Sequence, residues 1–225
     1  MISFDNVSVV KEGRVILRDL TLDLDKKRIG IIGHNGSGKS TFIRLINGIE
    51  QPAGGTVKID GLSTKEDRKN VLKKVGFVFQ NPDNQIIYPI VREDIAFGLK
   101  NRRLSKHEIS ERIEKMAKNL GLDHLLDRFT HTLSGGEKQM LALFGVLILE
   151  PEIILLDEPT TLLDLGNKSK IMSFLKTLPQ QVIVISHDLE FLLEFDEVLC
   201  FEGGRLKSRG LPKDIIDEYK ASQLC

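Results

Sequence analysis

Nine residues constrain this chain most: Gly33-His34-Asn35-Gly36-Ser37-Gly38-Lys39-Ser40-Thr41. They fit the pattern glycine, four residues, Gly-Lys-Ser, a loop that holds nucleotide phosphates. Glycines let successive backbone N–H groups converge on an anion where Cβ atoms would stand in the way. A helix starting near Gly38 adds free N–H groups and the positive end of its dipole. Lys39 can then reach the β/γ-phosphates, and the Ser40 hydroxyl can ligate Mg²⁺. The flanks supply the strand and helix that the pattern requires. Arg28-Ile29-Gly30-Ile31-Ile32 reads as a buried strand, and Phe42–Asn47 carries helical apolar spacing. The competing reading is a glycine-rich loop that only turns the chain.

At 225 residues the chain has room for one α/β domain, or one domain with a lobe, and for a substantial core. Its 32 Lys and Arg balance 32 Asp and Glu. No global field draws it to nucleic acid, and no nucleic-acid partner is expected. The two cysteines, Cys200 and Cys225, match no zinc spacing. Cys200 lies in the apolar run Val198–Phe201 and reads as a small core residue, whereas Cys225 comes last and is expected to fray. Both suit a reducing, cytosolic location. The opening residues alternate like a strand rather than a signal peptide. No run of 18 apolar residues offers a membrane span.

Residues 2–10 and 15–24 read as paired strands around Lys11-Glu12-Gly13-Arg14. The helix after the phosphate loop is expected to end near Gly48, before Pro52. Val57–Ile59 and Val75–Phe79 read as strands, with a short charged helix within 64–74. Ile86–Leu99 is mixed and broken by Pro89 and Gly98. Residues 106–120 predict an amphipathic helix with Ile109, Ile113, Met116 and Leu120 on one face, capped by Ser105 and Glu108 and stopped by Gly121. That stripe reads as core. Ile153–Leu156, Val182–Ile185 and Val198–Phe201 are continuous apolar runs suited to a parallel sheet. Residues 212–220 predict a last helix.

Three further clusters carry chemistry. Ile153–Leu156 delivers Asp157 and Glu158 at a strand's C-terminal end, where open α/β sheets bind ligands. Asp157 suits an Mg²⁺ shell, directly or through water. Glu158 faces the other side if strand geometry persists, where it can take a proton from an attacking water. Alternatively, the pair caps a following helix. Ser186-His187-Asp188 follows the next apolar strand. His187 either contacts the γ-phosphate or the water, or caps a helix beginning near Asp188. These adjacent residues cannot act as a hydrolase triad. Ser134-Gly135-Gly136 offers a second anion-binding helix N-terminus, or an ordinary turn.

On these residues the chain closely resembles the ATP-binding-cassette ATPases. Lys39 and Ser40 sit in the Walker A segment, Gln80 in the Q-loop position, and Leu133-Ser134-Gly135-Gly136-Glu137-Lys138-Gln139 in the family signature. Asp157-Glu158-Pro159-Thr160 matches Walker B, Thr161-Leu162-Leu163-Asp164 the D-loop, and His187 the switch histidine. The implied fold is α/β: a P-loop NTPase core with a mainly parallel central sheet, an N-terminal antiparallel β subdomain and an inserted helical lobe. Residues 1–225 would form one cassette, with the lobe at about 81–150. The implied ligands are ATP and Mg²⁺. The loop residues Gly33, Asn35, Gly36, Ser37, Gly38, Lys39, Ser40 and Thr41 would hold the nucleotide, with Ser40, Asp157 and Gln80 at the metal. Glu158, His187, Gln80 and Lys39 would act in hydrolysis.

The resemblance also gives the second anion site a role. In this family two cassettes pack head to tail, and each ATP lies between one Walker A loop and the other cassette's signature. Ser134, Gly135 and Gly136 would thus serve a partner's ATP, with Asp164 joining the sites. A homodimer is favoured, with a homologous heterodimer as the other form. Gln80-Asn81-Pro82-Asp83-Asn84-Gln85 looks like the segment of energy-coupling-factor importers for vitamins or for nickel and cobalt. There the groove after the Q-loop holds a transmembrane coupling protein, and a solute-binding membrane protein supplies specificity. Thr161–Asp164 leans toward the biotin importers. The expected place is the cytoplasmic face of the membrane, as a peripheral subunit. Two other roles stand beside import: a soluble ATP-driven switch on ribosomes or DNA, and a scaffold that has lost hydrolysis. The chain departs from the family at Val9-Val10-Lys11, where an aromatic ring usually covers adenine, at Met140 for a frequent arginine, and at Leu165 for a common proline.

Overall fold

A computed structural model of the chain describes residues 1–102, 104–161 and 163–223. Cys225, expected to fray, and Leu162 of the D-loop match lie outside them. In chain order the elements begin with β1 (Ile2–Lys11), β2 (Arg14–Leu24), β3 (Arg28–Gly33), α1 (Lys39–Ile46), β4 (Gly54–Ile59), β5 (Leu62–Ser63), α2 (Arg68–Lys74) and β6 (Val75–Val78). Next come α3 (Val91–Leu99), α4 (Lys106–Leu120), α5 (Gly135–Leu147), β7 (Ile153–Asp157) and α6 (Leu165–Thr177). The chain continues through β8 (Gln181–Ile185), α7 (Leu189–Leu192), β9 (Glu197–Glu202), β10 (Arg205–Gly210) and α8 (Pro212–Gln223).

The residues divide into two compact units. The first holds Met1–Phe77, Glu152–Glu158 and the chain from Leu178 onward. It contains a sheet ordered β2-β1-β4-β5, whose β1/β2, β1/β4 and β4/β5 pairs are antiparallel. A second sheet runs β10-β9-β3-β8-β7-β6. Its β3/β8, β3/β9 and β7/β8 pairs are parallel, and β10 returns antiparallel on β9. Every residue of β3 and β7 is buried, which is why these segments read as unbroken apolar runs rather than alternating ones. Phe42 stacks on Phe4, with ring centroids 4.7 Å apart, and meets Phe201 at a tilt, with centroids 4.8 Å apart. Cys200 is buried in β9, as a core residue should be.

The second unit holds Val78–Pro151 and Pro159–Thr177, so the segment 81–150 falls inside it together with α6. Its core gathers Val91, Ile95, Leu99, Ile113, Ala117, Leu133, Leu141 and Phe144. Helix α4 has the expected bounds. Ser105 accepts from the Glu108 N–H at 3.2 Å, the Glu108 carboxylate accepts from the Ser105 N–H at 2.7 Å, and Gly121 closes the helix in the left-handed region. Ile113 is fully buried while Ile109, Met116 and Leu120 pack partly buried against the core. The break expected at Gly98 is absent: α3 runs through it. Val91, Ile95 and Leu99 fall four residues apart on one buried face. At Gly98 an added Cβ would meet Leu149 Cδ2 at 3.3 Å. Glycine costs a helix about 1 kcal/mol, less than the burial of Val91, Ile95 and Leu99 supplies.

Candidate functional site

Strand β3 runs directly into the phosphate loop. At Gly33 φ is 145°, and a Cβ would stand 2.2 Å from the Phe201 carbonyl oxygen. At Gly38 φ is 101°, and a Cβ would strike Leu17 Cδ2 at 2.5 Å. Both positions therefore demand glycine twice over, by torsion and by space. The loop closes on itself where the Ser37 N–H donates to His34 O at 3.1 Å. Lys39 folds back under it, its Nζ donating to Gly33 O at 2.7 Å and to His34 O at 2.9 Å. Burial lowers the Lys39 pKa, and Glu158 and Asp157 pull it back up.

Two observations fit this loop to a phosphate group. Helix α1 starts at Gly38 with no side-chain cap and no acidic residue in its first turn, so its leading N–H groups are committed to no side chain. Ser37 Oγ is buried with no hydrogen-bond partner among the described residues. Asn35 and Gly36 are exposed, and Ser40 and Thr41 occupy the first turn of α1.

Asp157, the last residue of β7, is 2% exposed. Ser40 Oγ donates to its Oδ1 at 3.0 Å and Arg44 Nη2 to its Oδ2 at 3.1 Å. Burial raises the Asp157 pKa, and the Ser40 and Arg44 contacts oppose that rise. A hydroxyl and a carboxylate at hydrogen-bond distance are hard oxygen donors suited to Mg²⁺, which keeps phosphates and waters in its other positions. Motif spacing does not single out Arg44. Its place one turn after Ser40 on α1 is the one signal the sequence offers for it.

Glu158 corrects the strand-alternation argument. Its φ is +50°, so strand geometry ends at Asp157, while its N–H still donates to Ile185 O at 3.1 Å. The carboxylate instead meets His187, with Nε2···Oε1 3.1 Å apart. Glu158 is 13% exposed and His187 48%. His187 does not cap α7. Asp188 does, accepting from the Phe191 N–H at 3.3 Å. The imidazole is thus left to face Glu158.

Within the second unit, Ser134 caps α5 in a reciprocal capping box with Glu137. Its Oγ accepts from the Glu137 N–H at 3.3 Å. The Ser134 backbone and hydroxyl hold the Glu137 carboxyl below its ordinary range. Gly135 is exposed and Gly136 buried. Gln80 is exposed at a bend beyond β6. Gln85 ties the segment after that bend to the helical unit: its Oε1 accepts from the Phe79 N–H at 3.3 Å and its Nε2 donates to Ala142 O at 2.8 Å. Lys138 of the signature reaches Asp83 Oδ1 at 2.7 Å. Asp164 accepts from both the backbone N–H and the Nδ2 of Asn167.

A phosphate loop, a hydroxyl–carboxylate pair and a carboxylate–histidine pair at the C-terminal ends of β3, β7 and β8 define a phosphate-loop nucleotide hydrolase. The comparisons narrow that class. The protein-family model described as ABC transporter matches residues 17–161, and the chain belongs to that family. It is 49% identical over 219 residues to the biotin transport ATP-binding protein BioM of Rhizobium etli, covering 97% of each. The structure of cbiO1 from Clostridium perfringens, part of the ABC transporter complex cbiONQ, aligns at TM-score 0.86 and 32% identity, over 98% of this chain and 92% of that one. The dimeric structure of the ATP-binding cassette MJ0796 in a post-hydrolysis state, bound to ADP and Pi, aligns at TM-score 0.82 and 28% identity, over 94% and 99%. The protein is an ATP-hydrolysing, transport-coupled ATP-binding subunit, and binding of ATP and Mg²⁺ is characteristic of its family.

Proposed function

We propose that this chain is the peripheral ATPase of an importer for a vitamin or a transition-metal ion, with biotin the first solute to test. The observation that carries the import reading is its 49% identity over nearly the whole chain to a biotin transport ATP-binding protein. Among the described residues no helix is long and apolar enough to cross a membrane. The chain would therefore meet the bilayer through partners. The transmembrane coupling protein has a candidate seat after Gln80, a shallow groove of about 330 Å³ lined by Ile86, Ile87, Tyr88, Pro89 and His131. Ile87 there is 68% exposed. A separate solute-binding membrane protein supplies specificity.

In this reading ATP lies between the loop Gly33–Thr41 of one cassette and Ser134, Gly135 and Gly136 of another, with Asp164 at the join. The dimeric ADP-bound relative supports that arrangement. Ser40 and Asp157 would hold Mg²⁺ with Gln80 nearby in the reaction, and the ion, when bound, neutralises charge on the phosphate oxygens. Lys39 stabilises charge on the transferred phosphoryl group. Glu158 takes the proton of the attacking water, held in orientation by His187. The intact Glu158–His187 pair, 3.1 Å apart, argues against a scaffold that has lost hydrolysis.

Mass analysis of the native complex, purified from membranes through a tag on this chain, tests the import reading. The expected result is two cassettes with a multi-spanning protein and a bound vitamin or metal ion. Recovery with ribosomes or DNA and no membrane protein would overturn it.

A further inference from the structure

We propose that Asn167 is a positioning residue that locks the signature helix α5 to the D-loop, so that Ser134, Gly135 and Gly136 are presented correctly to a second copy's nucleotide. This rests on the composite-site reading above. Asn167 lies in the first turn of α6, a helix that packs against α5. Both oxygens of Asp164 are committed to it. The Asn167 N–H donates to Oδ1 at 2.8 Å, and its Nδ2 donates to Oδ2 at 2.8 Å. These two bonds fix the side chain's rotamer, and they hold the Asp164 carboxyl below its ordinary pKa.

The clamped amide then presses on the signature. A Cβ placed on Gly136 would lie 2.4 Å from Asn167 Cγ, 2.6 Å from Nδ2 and 2.9 Å from Cβ. Such distances are far inside van der Waals contact. Gly136 sits inside a helix, where torsion alone would admit any ordinary residue. Glycine is needed there because Asn167 comes so close. Asn167 cannot swing aside without releasing Asp164, and its own Cβ cannot move without moving α6. Asp164, Asn167 and Gly136 therefore form one mechanical chain. The two motifs that face a partner cassette cannot shift independently of each other.

The test uses the full chain carrying Glu158→Gln, chosen to bind ATP without turning it over. Binding of Mg-ATP to the dilute monomer is measured by calorimetry, and ATP-driven dimerisation by sedimentation. Asn167→Ala removes the clamp. Asn167→Asp keeps its shape, replaces the Nδ2 donor by a charge that repels Asp164, and guards against a mere packing defect. Both variants are expected to bind Mg-ATP within about twofold of the parent. Their ATP-driven dimers should be about tenfold weaker or worse, since two copies of the clamp are lost and tenfold corresponds to a single modest hydrogen bond at each. Gly136→Ala should act in the same direction. If the parent dimerises and the variants dimerise equally well, Asn167 has no positioning role and the composite-site reading stands. If the parent fails to dimerise with ATP, that reading falls and takes the inference with it. If the variants lose monomer binding in parallel with dimerisation, the effect is general damage and the assignment is wrong.

Discussion

Glu158→Gln is the sharpest test of the hydrolytic site. The substitution keeps the side chain's length and its ability to meet His187, but it removes the basic oxygen. Glu158 is 13% exposed and its Oε1 lies 3.1 Å from His187 Nε2, so a replacement base from solvent has little room and no such partner. A positioned general base contributes about 10²–10⁴ to a rate. That corresponds to about 2.7–5.4 kcal/mol of barrier at about 1.36 kcal/mol per decade. Steady-state ATP hydrolysis by the membrane complex should therefore lose that factor in kcat, with the KM for ATP changed less than about threefold, since the phosphate loop is untouched. His187→Ala should also lower kcat, because the imidazole acts through Glu158. In the Glu158→Gln background it should cost far less, as expected for two groups acting as a unit. A Glu158→Gln complex with kcat within about threefold of the parent would refute the base assignment. Equal costs of His187→Ala in both backgrounds would refute the pairing.

Other parts of the molecule give further expected outcomes. Val10 is 47% exposed and pairs in register with Val15, 44% exposed, while Lys11 is held by Glu50. With no aromatic ring near residues 9–11, calorimetry should find ATP and GTP binding within about threefold of each other. Val10→Tyr should tighten ATP binding by about tenfold, from the roughly 1–3 kcal/mol of an aromatic stack on a base. Ile113→Ala, at a fully buried site in the helical unit, should cost about 2–5 kcal/mol by denaturant unfolding. The Asp60 carboxyl is held below its ordinary range by its hydrogen bond from Lys74 above all, and by the Met1 amino group. A carboxylate with a depressed folded pKa stabilises above its unfolded value, about pH 4, and that contribution fades as pH falls through the folded value. The stability difference between the parent and Asp60→Asn should thus be present at pH 7 and shrink below about pH 4 in acid melts.

Much of this is legible in the sequence because the deciding forces are local. The capping box at Ser105 and Glu108, the stripe Ile109–Leu120 and the stop at Gly121 all act within one helix, and α4 has the expected bounds. The phosphate loop declares itself for the same reason. Helix α3 does not, because what carries it through Gly98 is the burial of Val91, Ile95 and Leu99 against residues far along the chain, such as Leu141 and Phe144. Helix α6 gives no periodic signal either. It buries only Ile171 and Leu175, too few positions to set a period. Asn167 is invisible with it, since its meaning lies in Asp164 on one side and Gly136 on the other. Glu158 misleads differently. Alternation is a sound rule, but here it is applied one residue past the strand's end, where φ turns positive.

The register of the parallel strands explains why residues so distant in sequence meet. Ile31 on β3 pairs with Ile185 on β8, and Ile185 pairs with Asp157 on β7. These three residues form one row across the sheet. The chain leaves that row in one direction, because all three strands run parallel. Two residues beyond it on β3 the phosphate loop begins at Gly33. One residue beyond it on β7 stands Glu158, and two beyond it on β8 stands His187. A slip of one residue between β7 and β8 would move Asp157 off Ser40 and part Glu158 from His187, now 3.0 and 3.1 Å away respectively. The apolar runs that looked like mere core are therefore what sets the site. The packing of their buried side chains sets the register, and the register brings the carboxylates, the histidine and the loop to one end of the sheet.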